Sequence, residues 1–394
     1  MTTNQRHALL NGRIILPDQI VEGQALLIEA GRIVGCMAPA ALGSDIETMD
    51  VGGSTIAPGL IDIHIHGALG HTFNEPTAEA FAAITQETVR HGVTSLLATT
   101  STAPIANLVE CLAFSREWLA QPRAGTQVLG VHVEGPYFNQ EQRGAQDPAN
   151  IRNPDDGTVE ALLAHHDLIT IMTFAPELPG ALDLTRRLKK LGIIAAAGHS
   201  SAFDSHVQAA MAEGLSHIIH IWSAQSSTIK EGPWRKPGLL EATLTFDGFT
   251  VEMISDNKHL PPTLMKLAYK CLGPDRLCAI SDATSGAGLP QGSRFRMGEM
   301  EYEVHDGVGM MLDRSSFAGS TTLLGQMVPI LIDVVGIPVV EALRMVSLTP
   351  ARIIGVADRK GSLEPGRDAD LVLFDADFIP QATMIAGEWV YRRD

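Results

Sequence analysis

The sequence predicts an α/β protein in which a (β/α)8 barrel of the TIM type carries a small β-sandwich domain formed by both chain ends. The chain has 394 residues, which is too long for one small domain. Through its middle, eight apolar runs of strand length alternate with helix-like segments, and repeated strand–helix units favour a parallel sheet closed into a barrel. Both ends contain short strands broken by glycine turns, such as Ala8–Leu16 and Ala25–Val34 near the start.

The predicted division of the chain follows this change of pattern. Residues 58–358 form the barrel, and residues 1–57 together with 359–394 form the small β domain. Helix-like segments such as 79–91, 184–191 and 206–213 separate the barrel strands. The eight predicted barrel strands are Ile61–His66, Thr94–Thr99, Val128–Glu134, Ile169–Phe174, Ile193–His199, His217–Trp222, Phe249–Ser255 and Leu277–Asp282.

Composition and charge narrow the possible partners. With a formal net charge of −16 and no basic run, the chain is a poor partner for nucleic acid or an anionic membrane. Its four cysteines form no CxxC pair, and its first residues contain no apolar signal core, both of which fit a reducing cytoplasm. The longest apolar stretch, residues 327–340, is interrupted by Asp333 and Gly336, so no membrane span is expected. We therefore expect a cytoplasmic protein that acts on a small molecule.

Polar residues end several of the otherwise apolar strands. In a TIM-type barrel the active site forms at the carboxyl ends of the strands, so such residues are expected to converge there. Polar residues also end strands that have no chemical role, and this alternative would be preferred for a single case. Six of them on five strands favour a site instead: His64, His66, Glu134, His199, His220 and Asp282.

The pair His64 and His66 is the strongest local signal. Side chains two residues apart in a strand share one face, so both imidazoles point the same way. Neutral imidazoles bind zinc or iron well, although two packed histidines remain an alternative. Gly135-Pro136 ends the third strand directly after Glu134, so Glu134 lies at the rim of the barrel. There its carboxylate can give one oxygen to each of two cations.

Histidines on later strands complete the predicted ligand set. His199 follows three alanines and a glycine, which allow close packing around its ring. His217 and His220 are an odd number of residues apart, so only one of them can face the barrel mouth. We favour His220, which lies nearer the carboxyl end, and we expect His217 to face the helix layer. His132 shares the face of Glu134 one layer deeper, where we interpret it as a supporting or packing residue.

Asp282 ends the eighth strand within SDAT, residues 281–284. A carboxylate beside a metal can take a proton from the attacking water and later give it to a leaving amine. We therefore predict that Asp282 is a catalytic residue that also contacts the metal. The alternative is an aspartate that only caps the following turn.

Taken together, these motifs resemble the N-acetylglucosamine-6-phosphate deacetylases of the amidohydrolase superfamily. The resemblance rests on HxH, HVEGPY, GHS, RKPG at residues 235–238, SDAT and FAGS at residues 317–320, and it extends to the terminal GSLEPGRDADLVLFD. It implies that Glu134, His199 and His220 hold one divalent metal, and that an intact HxH pair admits a second ion, with the glutamate bridging the two. It also implies that Asp282 is the general base and acid. Zinc is the expected ion, with iron or manganese as alternatives.

The resemblance also implies the substrate contacts. Arg235 and His259 match an arginine and a histidine that bind the substrate phosphate, one of them reaching across from the neighbouring subunit of a homodimer. Further contacts are expected from Gln146, Ser223, Ala224 and Phe317. Three departures from the family pattern fall in this region. Gln146 stands where members have histidine, Trp222-Ser-Ala-Gln225 replaces an aromatic-Asn-Ala-Met run, and Asp256-Asn-Lys-His259 replaces a glycine-containing one.

The expected reaction is hydrolysis of the acetamide of N-acetylglucosamine 6-phosphate to glucosamine 6-phosphate and acetate. The three departures keep a second hypothesis open, in which the same chemistry acts on the galactosamine epimer, another N-acyl group or an unphosphorylated amide. A third hypothesis is an inactive barrel that serves as a binding protein, but every predicted metal ligand and Asp282 are present in the chain.

Overall fold

The computed structural model describes residues 6–393 and contains the predicted barrel. Its parallel strands pair in chain order, each with the next. The first and eighth strands meet at a seam, where Asp282 N donates to His64 O over 2.9 Å and His66 N donates to Ala283 O over 2.8 Å. The barrel strands are Leu60–Ile65, Val93–Thr100, Gln127–Glu134, Ile169–Phe174, Ile194–Ala197, His217–Ile218, Thr250–Ile254 and Leu277–Ile280. The predicted fold class is confirmed.

Helices cover the outside of the barrel and turn an apolar side toward the strands. In the first helix, Thr77 accepts a hydrogen bond from Ala80 N at the amino end, and Phe81 and Ile84 are buried. Gly192, with a φ of 75°, ends the helix Ala181–Leu191 in the left-handed conformation that favours glycine.

Within residues 6–393, one α-helix follows each of the first seven barrel strands. Three α-helices and one π-helical turn, Ile330–Val334, then follow the eighth strand, and short 3-10 turns cover Pro39–Ala41 and Gln140–Gln142. The α-helices are Ala78–Arg90, Ile105–Leu119, Val159–Leu163, Ala181–Leu191, Asp204–Glu213, Leu239–Thr245, Pro262–Leu272, Leu324–Pro329, Val339–Met345 and Leu348–Ile353.

Two further sheets are built from the ends of the chain. Thr55–Pro58 pairs with Arg13–Ile15 on one side and with Leu371–Phe374 on the other, which joins both ends in one sheet. Buried side chains such as Leu26 and Met384 form a core of their own here. The strands of the six-stranded sheet lie in the order Glu388–Arg392, Pro380–Ile385, Leu371–Phe374, Thr55–Pro58, Arg13–Ile15 and Ile20–Val21. Those of the four-stranded sheet lie in the order Arg32–Met37, Ala25–Glu29, Arg6–Leu10 and Glu47–Asp50. The domain boundaries at 57/58 and 358/359 stay predictions.

A four-stranded antiparallel sheet after the eighth barrel strand lies outside the predicted strand–helix alternation. Its strands are Arg294–Met297, Met300–His305, Val308–Met311 and Phe317–Ser320. Phe295 and Tyr302 are buried in a small core of this sheet, and Ser320 N donates to Asp282 O over 2.8 Å. The sheet therefore stands against the carboxyl end of the barrel, where it helps to line the main cavity.

Two short hairpins also leave the barrel. Gly67–Ala68 pairs with His71–Thr72 after the first strand, and Ile229–Glu231 pairs with Trp234–Lys236 after the sixth. The second hairpin is exposed, and Trp234 has 75% of its surface open to solvent. Within residues 6–393, no helix has the length and apolar character needed to cross a membrane, and all four cysteines are free thiols.

Candidate metal centre and substrate cavity

His64 and His66 point to the same side of the first barrel strand, as the period of two in a strand requires. Both side chains are buried. His64 Nε2 lies 3.6 Å from Glu134 Oε1, and His66 Nε2 lies 3.4 Å from Glu134 Oε2. Each imidazole therefore faces a different oxygen of the same carboxylate.

Glu134 is the centre of the cluster. It ends the third strand, and the next residue must be glycine, because Gly135 has a φ of 90° and a Cβ there would stand 2.4 Å from Thr102 Oγ1. Glu134 Oε1 lies 3.1 Å from His199 Nε2 and 3.1 Å from His220 Nε2. Burial raises the pKa of Glu134, but hydrogen bonds from these two histidines outweigh burial and hold the pKa well below its ordinary value.

His199 and His220 lie in the loops that follow the fifth and sixth barrel strands, not in the strands themselves. The fifth strand ends at Ala197 and the sixth at Ile218, and the two histidines have φ values of 47° and 22°. Residues other than glycine rarely adopt such values, and backbone of this kind is enriched at active sites. Carbonyl oxygens orient both rings, since His199 Nδ1 lies 2.9 Å from Gln142 O and His220 Nδ1 lies 3.2 Å from Ser223 O. The Nε2 atoms are therefore left to face Glu134.

The expectation that His217 faces the helix layer is wrong. Its Nε2 lies 3.0 Å from Glu252 Oε1 inside the barrel, one layer below His220. That expectation required the strand to continue through His220, whereas the sixth strand ends at Ile218 and the backbone turns at His220. The alternation of faces therefore does not extend from one histidine to the other.

Asp282 completes the cluster from the end of the eighth strand, with a φ of 47°. Its Oδ1 lies 3.3 Å from His66 Nε2 and 3.6 Å from His64 Nε2. Burial raises the pKa of Asp282, but the hydrogen bond from His66 and the charges of both histidines lower the pKa more, so the carboxyl group is ionised at neutral pH. The side chain also lines the cavity, where a reactant can reach it.

This donor set fits divalent cations. Two ligand atoms at the usual distance from one tetrahedral zinc ion stand about 3.3 Å apart, and the nitrogen–oxygen distances within the cluster are 3.1–3.6 Å. His64 Nε2 is buried and has no hydrogen-bond partner among the described residues, so this nitrogen is available to an ion. Glu134, His199 and His220 would hold one ion, and His64, His66 and Glu134 would hold a second.

The cluster opens into a cavity of about 630 Å³ at the carboxyl end of the barrel. Five of the six predicted substrate contacts line this cavity: Gln146, Ser223, Ala224, His259 and Phe317. Arg235 does not line it, because this residue lies on the exposed hairpin strand Trp234–Lys236. The roles of all six residues toward a substrate stay predictions.

Gln146 has its side-chain amide fixed at both ends. Its Oε1 accepts a hydrogen bond from Thr102 N over 2.8 Å, which leaves Nε2 to donate to Glu134 Oε2 over 2.5 Å. The preceding residue is held as well, since Tyr302 Oη donates to Ala145 O over 2.8 Å. At this position the chain therefore offers N–H donors to the cavity and no titratable group.

His259 is supported by a carboxylate behind it. Its Nδ1 lies 2.8 Å from Asp256 Oδ2, which also accepts a hydrogen bond from Ser320 Oγ over 2.8 Å. Burial raises the pKa of Asp256, but the hydrogen bond and charge of His259 lower it below its ordinary value. The imidazole also meets Phe317 edge to face at 5.0 Å. Its Nε2 is left for the cavity.

Glu252 belongs to this centre but lies outside the predicted set. It is fully buried in the seventh strand, and its Oε2 lies 2.7 Å from His64 Nδ1. The signal in the sequence is a lone carboxylate between Val251 and Met253, because a buried charge is rare without a partner. Thr102 has no comparable signal, because it orients Gln146 through its backbone N–H.

Known proteins show the family to which the chain belongs. A model of the amidohydrolase family matches residues 55–390. The N-acetylglucosamine-6-phosphate deacetylase of Haemophilus influenzae is 32% identical to this chain over 98% of it and 99% of the relative. The N-acetylgalactosamine-6-phosphate deacetylase of Escherichia coli O157:H7 is 30% identical over 97% of this chain and 98% of the relative.

Solved structures resemble the chain over the same extent. The N-acetylglucosamine-6-phosphate deacetylase from Pasteurella multocida has a TM-score of 0.92 at 29% identity and covers 98% of this chain and 100% of its own. A mutant of the enzyme from Mycobacterium smegmatis, in complex with N-acetyl-D-glucosamine-6-phosphate, has a TM-score of 0.90 at 28% identity and covers 98% of this chain and 99% of its own. The chain therefore belongs to the amidohydrolase family, and within it to the group of amino sugar 6-phosphate deacetylases that these relatives form.

Proposed function

We propose that this protein removes the acetyl group from N-acetylglucosamine 6-phosphate, giving glucosamine 6-phosphate and acetate. The observation that carries the proposal is the position of Asp282, whose carboxylate lines the cavity 3.3 Å from His66 Nε2 and beside the Glu134 cluster. A carboxylate next to a candidate metal centre supports amide hydrolysis by general acid–base catalysis. The deacetylases that resemble the chain over its whole length support an amino sugar phosphate as the substrate.

The mechanism follows from the groups that surround the reacting amide. Glu134, His199, His220 and the HxH pair would hold a divalent cation, which would supply Lewis acidity to the attacking water and the acetyl carbonyl. Asp282 accepts the proton that water loses as its oxygen bonds to the carbonyl carbon. The same carboxyl group then gives this proton to the sugar nitrogen as the C–N bond breaks and acetate leaves. Gln146 Nε2 donates a hydrogen bond to the oxygen on which negative charge develops.

For the phosphate, we propose binding by His259 of one subunit and Arg235 of a second copy in a homodimer. His259 lines the cavity, whereas Arg235 lies outside the cavity of its own chain. The hairpin that carries Arg235 also exposes Trp234, a residue type that is enriched where protein surfaces meet. An arginine at the tip of such a contact can bind phosphate through two parallel hydrogen bonds.

Zinc is the proposed ion, with iron or manganese as alternatives, because mixed imidazole and carboxylate ligands accept all three. The proposed location is the cytoplasm. Four free cysteines fit a reducing compartment.

The test is acetate release by purified, zinc-loaded protein. Rapid release from N-acetylglucosamine 6-phosphate, with little from unphosphorylated N-acetylglucosamine, is the expected result. Release from neither sugar, nor from the galactosamine epimer, would contradict the proposed activity.

N-acetylgalactosamine 6-phosphate is the second candidate substrate. It is favoured by the relative of 30% identity that is named for this substrate. The two phosphorylated epimers should be compared under identical conditions, and the epimer with the higher kcat/KM is the preferred substrate.

A further inference from the structure

A fully buried carboxylate lies one layer below the candidate metal centre and has no part in the proposed proton transfers. Glu252 comes from the seventh strand, and its side chain is closed to solvent, as are those of His64 and His217. Its Oε2 lies 2.7 Å from His64 Nδ1, and its Oε1 lies 3.0 Å from His217 Nε2. A carboxylate at this depth is costly unless both oxygens are hydrogen-bonded, and here both are.

The contact with Glu252 fixes the tautomer of His64. With a cation bound, the imidazole of His64 is neutral, and because a carboxylate oxygen only accepts, its one proton must sit on Nδ1. The lone pair of His64 is then on Nε2, which lies 3.6 Å from a carboxylate oxygen of Glu134 and 3.6 Å from one of Asp282. A lone pair that faces two carboxylates is repelled by them unless a cation stands between. Glu252 therefore prepares His64 to be a ligand.

The other oxygen of Glu252, Oε1, is hydrogen-bonded to His217, which is not one of the candidate metal ligands. The Thr250 hydroxyl lies 2.7 Å from His217 Nδ1 and can donate to it, so that His217 Nε2–H donates to Glu252. His132 packs edge to face against the ring of His64, with centroids 4.6 Å apart, and restricts its rotation from the other side. The Glu252 carboxylate is thus hydrogen-bonded to His217 of the sixth strand through one oxygen and to His64 of the first strand through the other.

Only one half of the metal centre depends on this carboxylate for ring orientation. Backbone carbonyls of Gln142 and Ser223 orient His199 and His220, as their Nδ1 contacts show. His66 Nδ1 is buried and has no hydrogen-bond partner among the residues that the structure describes. Of the two histidines in the HxH pair, His64 therefore has its ring oriented through Nδ1, by Glu252, and His66 has no such contact among the described residues.

We propose that Glu252 is a positioning residue for the HxH cation position, where it holds His64 with Nε2 free to bind. Its Oε2 also accepts a hydrogen bond from His220 N over 3.4 Å, but the rings of His199 and His220 are oriented by backbone carbonyls. The inference rests on the proposed metal-dependent function. Glu252 itself touches neither the substrate cavity nor the reacting atoms. Partners that orient a metal-binding histidine typically contribute about 10- to 100-fold to metal affinity.

The experiment counts ions in the parent protein and in Glu252→Gln, a variant of the same size that loses the charge. Each protein is stripped with chelator and dialysed against graded free zinc, and zinc per chain is measured by mass spectrometry. Cobalt absorption spectra report the geometry at each position. His217→Gln is the matched control, because the glutamine amide can still donate a hydrogen bond to Glu252 and the change leaves His64 alone. Circular dichroism confirms that all three proteins are folded.

We expect the parent and His217→Gln to bind two ions per chain. Glu252→Gln should keep the first ion at unchanged affinity and bind the second about 10- to 100-fold more weakly. The inference is overturned if the parent takes up only one ion, if Glu252→Gln binds the second ion like the parent, or if both variants weaken both ions equally. These counts need no substrate, so a failure here is distinct from a failure to release acetate.

Discussion

Replacing Asp282 by asparagine tests the proposed mechanism most directly. Asparagine keeps the size and shape of the side chain but cannot take up a proton, so both proton transfers lose their carrier. One positioned general acid or base contributes roughly 10²- to 10⁴-fold to the rate, which is about 3–5 kcal/mol of activation free energy. Because Asp282 serves first the water and then the amine, we expect kcat to fall by about 10⁴-fold, the upper end of that range.

The structure allows this effect to be separated from a loss of metal. Glu134 Oε1 lies 3.1 Å from the Nε2 atoms of both His199 and His220, and this arrangement does not involve Asp282. At least one ion per chain should therefore remain in Asp282→Asn. The assay is steady-state acetate release, with zinc content measured on the same sample.

A second carboxylate of the cavity provides the control. Asp147 also lines the cavity, but its oxygens accept hydrogen bonds from Ala149 N and from Asn150 Nδ2 within its own loop. Asp147→Asn should change kcat little. An Asp282→Asn protein that keeps its zinc and its full kcat would refute the assignment of Asp282 as proton carrier.

Three other changes test the phosphate contact, a strand end and a surface ion pair. Arg235→Ala should raise KM for the phosphorylated sugar by about 10- to 100-fold, since hydrogen bonds to charged groups contribute about 1.5–3 kcal/mol. Steady-state kinetics measure it, and an unchanged KM would remove the support for this contact. Gly135→Ala should lower the free energy of unfolding by about 1–3 kcal/mol, because its Cβ would meet Thr102 Oγ1 at 2.4 Å on backbone with a φ of 90°. Denaturant titration checks this, and a stability equal to the parent's would show that the strand end relaxes at no cost. Hydrogen bonds from Arg116 lower the pKa of Asp167 to about 2, so the pair contributes stability above the ordinary pKa of about 3.9 that is lost as the pH falls toward 2. The difference in thermal stability between the parent and Asp167→Asn should shrink over that window, and a constant difference would contradict the assignment.

The barrel could be predicted from the sequence because its signals are local. Strands that are covered by helices are apolar along their length, and polar residues appear where the strands open into the cavity. The antiparallel sheet of residues 294–320 lacks this signal. Its strands alternate charged and apolar residues, as in Arg294–Met297, and its core is small. Such a sheet is easily mistaken for a long loop.

The site shows the same limit at the level of single residues. His64 and His66 share a face because the period of two holds inside a strand. The period fails for His217 and His220, because the backbone turns between strand and ligand. Glu252 is 188 residues from His64 in the sequence, and no local pattern encodes a contact at that separation. Its lone charge in an apolar strand indicates a partner but does not identify it.

The seam that closes the barrel also affects how the protein loses activity under stress. Two of the backbone hydrogen bonds of this seam involve His64, His66 and Asp282, which are also residues of the metal centre. The eighth strand is only four residues long, and bonds such as that from Ser281 N to Asp62 Oδ1 over 3.2 Å add to the contacts across the seam. A local opening of the seam separates the proton carrier from the histidine pair while the surrounding helices are still formed. An opening confined to this strand junction would therefore be enough to abolish activity, without any loss of helical structure.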